Sequence, residues 1–159
     1  MGITVKNPFA GKKGYNCFGC SPDNPIGLHL DFRVEGNVVL AEWTPGENYQ
    51  GWMNILHGGI QATLMDEIAG WFVLVKLGSA GVTSKMEVRL LKPAHMHHSP
   101  FHLKAELMET HWNIAMIKVE LSDSQEVLVA DSLMHYYIYP EEIARDRMHY
   151  PGMDAFLDI

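Results

Sequence analysis

The sequence predicts an α+β fold in which one curved antiparallel sheet wraps around a single long helix. The segment 60–77 contains no proline and is apolar on nearly every side, so a helix formed by it has to be buried. The segments before and after it alternate apolar and polar residues, which is typical of half-buried strands. A helix between two groups of strands is covered when it packs on one antiparallel sheet.

Composition indicates one acidic domain. The 159 residues include 12 Lys and Arg and 19 Asp and Glu, which gives a formal net charge of −7, and 47% of the residues are apolar. This length suits a single domain, and the apolar content excludes intrinsic disorder. The acidic balance argues against a nucleic-acid partner, because such proteins need a basic face.

Neither a targeting segment nor a membrane span is expected. Residues 1–9 lack the apolar core of a signal peptide. The longest apolar run, 68–75, is far shorter than the roughly 20 residues that cross a bilayer. Cys17 and Cys20 cannot form a disulfide framework, so we expect a cytoplasmic protein without membrane contact.

The elements follow one another in a simple order. Residues 1–27, rich in Gly, Pro, Asn, Lys and Ser, predict an extended lead-in without regular structure. The main domain, 28–139, opens with a hairpin of strands 28–34 and 38–43 around a Glu-Gly-Asn turn. After the helix, which ends in a Gly-Ser-Ala-Gly stretch, alternation predicts strands at 82–90, 101–110, 114–122 and 127–139. The tail, 140–159, begins with Pro140 and a short helix over 141–148.

The central helix also predicts self-association. A single sheet covers most of a helix that is apolar all round, but it leaves one face and a sheet edge open. A second copy of the chain would cover both. We therefore expect a homodimer or a dimer of dimers.

The residues best suited to chemistry lie at 56–67, Leu-His-Gly-Gly-Ile-Gln-Ala-Thr-Leu-Met-Asp-Glu. Gly58 and Gly59 at the helix start allow close approach of a ligand, and the first helical N–H groups have no internal partner, which suits a developing oxyanion. Asp66 places a carboxylate in an apolar helix, where an unpaired charge is costly. It is either a general base or nucleophile with a tuned pKa, or a buried acid paired with a base such as Lys85 or Arg89.

These residues carry a resemblance to a known family. The motif Leu-His-Gly-Gly-x-x-Ala-Thr-Leu-x-Asp resembles the helix signature of hotdog-fold acyl-CoA thioesterases of the phenylacetate-pathway (PaaI-like) and THEM types. The stretch Gly-Val-Thr-Ser-Lys-Met-Glu-Val from Gly81 is similar to the family's next strand, and Asn-Cys-Phe-Gly-Cys from Asn16 resembles the lead-in of a THEM-like subset. The resemblance covers roughly residues 15–139 and implies the hotdog fold.

The resemblance also implies roles for individual residues. The Gly58 N–H would polarise the thioester carbonyl, and His57 would shape the turn. Asp66 would be the catalytic carboxylate, acting across a dimer interface on substrate held by the partner's glycine turn. Thr83 matches a Ser or Thr that places the attacking water. Glu67 is a second choice, because it points about 100° away around the helix.

One position departs from the family pattern. Many relatives carry Asn or Gln six residues before the motif histidine, where this chain has Gly51. Asn48 and Asn54 lie nearby and either could substitute. The anionic phosphates of coenzyme A (CoA) would need basic partners, and the candidates among which the sequence does not choose are Lys12, Lys13, Lys85, Arg89 and Lys92. Gly59, Asn54, Asn48, Lys85 and Arg89 complete the predicted substrate-binding set.

Two clusters could bind metal, but we expect no metal site. Cys17-Phe-Gly-Cys20 has the spacing of half a zinc site without a second cysteine pair, which favours a structural role. His95, His97, His98 and His102 surround a turn between strands and are typical of a solvated loop. No cofactor is expected, since CoA would be part of the substrate.

The sequence therefore predicts an acyl-CoA thioesterase. The alternative is a non-catalytic acyl-CoA-binding module on the same fold, which the glycine at position 51 favours. A hotdog hydratase is a third possibility, for which no acid–base motif is present. Motifs of serine hydrolases, zinc proteases, nucleotide triphosphatases and dinucleotide enzymes are absent from the sequence.

Overall fold

The computed structural model describes residues 2–158. Its strands are β1 (Ile3–Thr4), β2 (Arg33–Glu35), β3 (Val38–Trp43), β4 (Gly81–Leu90), β5 (Phe101–His111), β6 (Ile114–Ser122) and β7 (Leu128–Ile138), and its helices are α1 (Gly58–Lys76) and α2 (Glu141–Arg147). The strands form one antiparallel sheet in the order β1-β2-β3-β5-β6-β7-β4. The predicted α+β class, with one long helix on a curved sheet, is confirmed.

Helix α1 is the centre of the core. It contacts β3 through β7, and Leu64, Met65, Ile68 and Ala69 are completely buried. The facing sheet contributes alternate side chains, as the period of two in strands requires; in β6 these are Ala115, Ile117, Val119 and Leu121. Because the buried residues of α1 pack on the sheet, the sheet determines which face of the helix stays accessible.

The start of the domain differs from the predicted hairpin. Leu28, Leu30 and Phe32 are buried, as their alternation predicts, but only Arg33–Glu35 joins the sheet. The amides of Leu28 and Leu30 instead donate to carbonyls at positions 18 and 19. The period of two was therefore right about burial, and the predicted hairpin forms around the Glu-Gly-Asn turn, where Glu35 lies opposite Val38. The prediction was wrong only for residues 28–32, which do not pair with β3.

The lead-in is more ordered than the sequence predicts. Its strand β1 pairs with β2, with Ile3 opposite Val34, and residues 18 and 19 accept the hydrogen bonds described above. The expectation of no regular structure is wrong for Ile3–Thr4. Backbone hydrogen bonds hold the lead-in against the domain, and Val5 and Cys20 join the core. These buried residues are far apart in the lead-in and form no regular alternation, so no pattern in the sequence indicates the strand.

Strand β4 lies at the edge of the sheet and pairs only with β7. Its alternation predicts a half-buried strand, yet Val82, Met86 and Leu90 are all exposed. Beside it, the α1 stripe of Thr63, Asp66 and Gly70 is only partly buried. A single chain thus leaves one edge strand and one helix face uncovered, as the sequence predicts, and self-association through them stays a prediction. Within residues 2–158, no helix combines the length and apolar character needed to cross a membrane.

The close packing of β4 against β7 at Gly81 can be tested by substitution. A Cβ at Gly81 would lie 2.4 Å from the backbone oxygen of Tyr137, which the strand pairing holds in place. We expect Gly81→Ala to lower the free energy of unfolding by about 1–3 kcal/mol. Gly46→Ala is the matched control, because a Cβ there meets no atom within 4 Å, and it should change stability by less than about 0.5 kcal/mol. Urea unfolding measures both, and equal losses would contradict this account.

Candidate active site

The N-terminus of α1 presents free backbone donors, the N–H groups of Gly58 and Ile60. His57 is the N-cap residue, and its Nδ1 accepts a hydrogen bond from the Gly59 N–H at 2.9 Å. The His57 carbonyl accepts from the Gln61 N–H at 3.0 Å. The Gly58 N–H has no acceptor among residues 2–158. Of the two glycines, Gly58 is therefore the one whose N–H, at the positive end of the helix dipole, is available to an anion.

The position of the missing amide is closely packed. A Cβ at Gly51 would lie 3.1 Å from the Cα of His57, so a side chain there would require the turn to shift. Asn54 uses both ends of its amide on His97, donating to the ring and accepting from the His97 N–H. Asn48 is exposed in a short single-turn helix. Substrate contact by either asparagine stays a prediction.

Asp66 is held by two hydroxyl groups. Thr83 Oγ1 and the Tyr136 hydroxyl each donate to Asp66 Oδ1 at 2.7 Å, and the Tyr136 hydroxyl also lies 2.7 Å from the Asp66 carbonyl oxygen. Oδ2 has no hydrogen-bond partner among the described residues. One oxygen is fixed, and the other is available to accept a proton from water.

The basic residues considered as partners of Asp66 are engaged elsewhere. Lys85 forms an ion pair with Glu87 at 3.0 Å, and Arg89 makes two hydrogen bonds to Asp131, at 2.8 and 2.5 Å. That pair lowers the pKa of Asp131 through the Arg89 hydrogen bonds. Because no basic side chain within residues 2–158 forms an ion pair with Asp66, the carboxylate is not part of a structural ion pair in a single chain.

Tyr136 is a site residue that the sequence did not single out. It occupies a core-facing position of β7, where the sequence pattern does not distinguish a tyrosine from the other buried apolar residues. Burial raises the pKa of its phenol well above the usual value, and the nearby Asp66 charge adds to this. Tyr136 therefore keeps its proton and acts as a donor. The available signal was a hydroxyl at a buried strand position, which needs a partner.

Asp66 and Thr83 border a cavity of about 400 Å³. The lead-in, the second half of α1, the start of β4 and the tail enclose it. Most of the lining is apolar, which suits an organic group with a few polar contacts. Its apolar walls include Phe9, Tyr15, Trp71, Leu74, Val82 and Met148.

Glu67 lies apart from the two hydroxyl groups that hold Asp66. Its Oε1 accepts from the thiol of Cys17 at 3.3 Å and from the indole N–H of Trp71 at 3.2 Å. A hydrogen bond with Cys20 lowers the pKa of Cys17, and the same bond, followed by burial, raises the pKa of Cys20. Both thiols are free.

Three of the candidate phosphate-binding residues carry unpaired charges. Lys12, Lys13 and Lys92 form no ion pair within the described part of the chain. Lys12 and Lys13 line a second cavity of about 530 Å³ together with His149. This cavity shares Phe9, Tyr15 and Met148 with the first one. A locally basic region thus adjoins the Asp66 cavity on an acidic protein.

Asp66 and the Gly58 N–H cannot meet at one small group within a chain. They are separated by eight residues of α1, which corresponds to about 12 Å along the helix axis. A thioester carbonyl and the water attacking it span only a few ångströms. The two halves of the predicted site are therefore formed by one helix but do not converge in a single protomer.

Comparison with known proteins finds one family model that matches. Residues 53–130 match the family model of the thioesterase superfamily. The matched residues include His57, Gly58, Asp66 and Thr83. A search of curated protein sequences finds no match.

Solved structures share the fold of this chain at low identity. A thioesterase superfamily protein has a TM-score of 0.70 at 20% identity over 76% of this chain, which spans 59% of that protein. A Streptococcus mutans protein bound to acetyl CoA gives 0.65 at 16% identity, covering 82% of this chain and 98% of the other. The E. coli PaaI protein of the phenylacetic acid degradation operon gives 0.62 at 16% identity, over 72% and 82%. The predicted hotdog fold is confirmed.

The role of Tyr136 as a permanent donor to Asp66 can be tested by alkaline titration. Its raised pKa means that it stays protonated at a pH at which a free tyrosine, with a pKa of about 10, ionises. We expect native wild type and Tyr136→Phe to show the same tyrosinate absorbance up to about pH 11. In denaturant the variant should lose one of the six tyrosines from the titration. A smaller native amplitude in the variant would show that Tyr136 ionises and would contradict the assignment.

Proposed function

We propose that this protein is an acyl-CoA thioesterase in which Asp66 is the catalytic carboxylate and the Gly58 N–H stabilises the oxyanion. The observation that carries the proposal is the carboxylate of Asp66, fixed through one oxygen by Thr83 and Tyr136 and free through the other, at the wall of an apolar cavity. The match of residues 53–130 to the thioesterase superfamily model and similar structures that contain acetyl CoA or CoA support the substrate class.

The proposed chemistry needs a nucleophile and a polarised carbonyl. Asp66 Oδ2 either takes a proton from a water molecule that attacks the carbonyl carbon, or attacks this carbon itself. The negative charge that forms on the carbonyl oxygen is stabilised by the Gly58 N–H and the helix dipole. The carbon–sulfur bond then breaks, the CoA thiol leaves, and water supplies the oxygen of the released acid.

The active site is formed by two protomers in this proposal. The separation of about 12 Å along α1 excludes cooperation within one chain, whereas antiparallel helices of two copies bring unlike ends together. Strand β4 runs beside α1. Thr83 near the start of β4 contacts Asp66, and Leu90 at the end of β4 lies beside Gly58, since a Cβ on Gly58 would be 2.9 Å from the Leu90 side chain. Each position along β4 therefore lies beside a known position along α1.

The exposed edge of β4 provides the dimer contact. Antiparallel pairing about a two-fold axis between Met86 and Glu87 would place Thr83 of one protomer opposite Leu90 of its partner. Asp66 of one protomer would then face Gly58 of the other. The same pairing would cover the exposed β4 residues and the open stripe of α1, which removes the two surfaces that a single chain leaves uncovered.

The two cavities suggest how the rest of the substrate is held. The apolar cavity of about 400 Å³ at Asp66 receives the part of the substrate next to the thioester. Lys12 and Lys13, which border the adjoining cavity, are our choice for the CoA phosphates, because Lys85 and Arg89 already face carboxylates. Binding phosphate there costs no existing ion pair.

A non-catalytic acyl-CoA-binding module remains the second candidate. It is favoured by Gly51, which provides no amide and where a Cβ would lie 3.1 Å from the His57 Cα. A panel of acyl-CoAs with a free-thiol readout separates the two functions, since a binding module retains the ligand without releasing thiol.

Loss of the carboxylate should abolish turnover. We expect Asp66→Ala to leave the fold and oligomeric state intact and to lower kcat/KM for thiol release at least 100-fold, by the usual size of acid–base effects. Glu35→Gln is the control, because this exposed carboxylate lies on β2, far from β4 in the sheet. Near-normal turnover by Asp66→Ala would rule out this mechanism.

Removal of a single N–H tests the oxyanion donor. Proline is tolerated at the first helical position, and the ψ of 131° at His57 suits a residue before proline. We expect Gly58→Pro to lower kcat about 10²- to 10³-fold. Gly58→Ala makes the same Cβ contact with Leu90 but keeps the N–H, so it should lose much less. Similar losses in both variants would show that packing, not the N–H, is responsible.

Mixing the two inactive variants tests whether the site is shared. A heterodimer of Asp66→Ala and Gly58→Pro contains one site with both groups intact, so random pairing should restore about a quarter of wild-type activity. Sites contained within one chain would stay inactive after mixing. Refolding the variants together, with each variant refolded alone as the control, provides the comparison.

A further inference from the structure

The structure brings a third donor to the two cysteines of the lead-in. The sulfurs of Cys17 and Cys20 and a carboxylate oxygen of Glu67 all lie within 4.8 Å of one another. The sequence placed the cysteines in the lead-in and Glu67 on the central helix, so no local spacing predicted this cluster. We propose that Cys17, Cys20 and Glu67 form a zinc site that fastens the lead-in to α1.

The donor set and its spacing suit zinc. Donor atoms around a tetrahedral zinc ion lie about 3.7 Å apart, given metal–ligand bonds of roughly 2.0–2.3 Å. The cluster therefore needs a contraction of about 1 Å at most. Two thiolates favour a soft or borderline ion over magnesium or calcium. Binding releases the two thiol protons to solvent, and a water molecule completes the four ligands from the cavity that all three residues line.

The charges at this site lack a cationic partner. Glu67 forms no ion pair with a basic side chain within residues 2–158, and its contacts there are the Cys17 thiol and the Trp71 indole. A half-buried carboxylate beside two ionisable thiols is electrostatically unfavourable unless a positive charge is present. A divalent ion would offset two of the three negative charges that the ligands carry once both thiols are deprotonated.

The surrounding residues orient the ligands. The Tyr15 hydroxyl lies 2.8 Å from the Cys20 sulfur, and the Asn7 side chain donates to both this hydroxyl and the Cys20 carbonyl oxygen, at 3.1 Å each. The Trp71 N–H fixes Glu67. Hydrogen-bonded neighbours of this kind are typical of metal sites.

Gly19 permits the close approach of the cysteine turn to the helix. A Cβ at this position would lie 2.4–2.5 Å from the Cγ, Cδ and Oε2 atoms of Glu67. Gly19→Ala would therefore push the carboxylate away while leaving both thiols in the chain. This gives a variant that removes one ligand from the cluster without changing any ligand residue.

Zinc uptake by the reduced, chelator-treated full-length protein tests the proposal. We expect about one zinc per chain after gel filtration and a rise in Tm of roughly 5–10 °C at a hundredfold excess over Kd. Substitution with cobalt should produce the near-ultraviolet thiolate-to-cobalt charge-transfer band. Cys17→Ser and Cys20→Ser should lose the ion, and Gly19→Ala and Glu67→Gln should weaken binding at least tenfold, by the usual effect of losing a ligand contact.

Several outcomes would overturn the proposal. These are a reduced wild-type protein that takes up no zinc, a cobalt form without the thiolate band, and zinc uptake that Cys17→Ser retains but His98→Gln loses. The cobalt spectrum needs only the wild-type chain, so a variant that fails to fold leaves the test decisive. Asp66→Ala should bind zinc fully, which separates this inference from the proposed catalysis.

Discussion

Helix α1 is apolar along nearly its whole circumference, and the need to cover it determines the rest of the structure. The sheet covers the side that carries Leu64, Ile68 and their neighbours. The lead-in and the tail cover the second half of the helix around the cavity. One stripe and the neighbouring β4 edge stay open, and this uncovered surface is where the candidate active site lies.

The same helix provides both chemical groups, at a separation that prevents them from acting together in one chain. Gly58 offers a free N–H at the first position, and Asp66 offers a carboxylate two turns later. In a dimer with antiparallel helices, Asp66 of one protomer would lie opposite Gly58 of the other. In the proposed thioesterase, dimer formation at the β4 edge therefore both covers the apolar helix and completes the active site.

The polar residues around α1 divide into two neighbouring centres. Asp66 is positioned by hydroxyl groups of the sheet, from Thr83 and Tyr136. Glu67, the next residue, turns toward the lead-in and meets Cys17. Adjacent carboxylates thus point to different partners because consecutive helical residues diverge by about 100°. The cavity borders both, so a ligand bound there would be affected by each centre.

The sequence by itself determined the elements whose signal is local. The period of two predicted strands β3 to β7, the apolar run predicted α1, and the His-Gly-Gly motif placed its N-terminus, since period and capping depend on residues close in the chain. Asp66 was a candidate because it places a carboxylate in an apolar helix, and Thr83 was one because its strand resembles a known family's. Only the tertiary structure brought Tyr136 to Asp66 and Glu67 to the cysteines, and only it paired Leu28 and Leu30 with the lead-in instead of the sheet. These contacts join residues distant in sequence, and their partners depend on how the sheet and the lead-in pack around the helix.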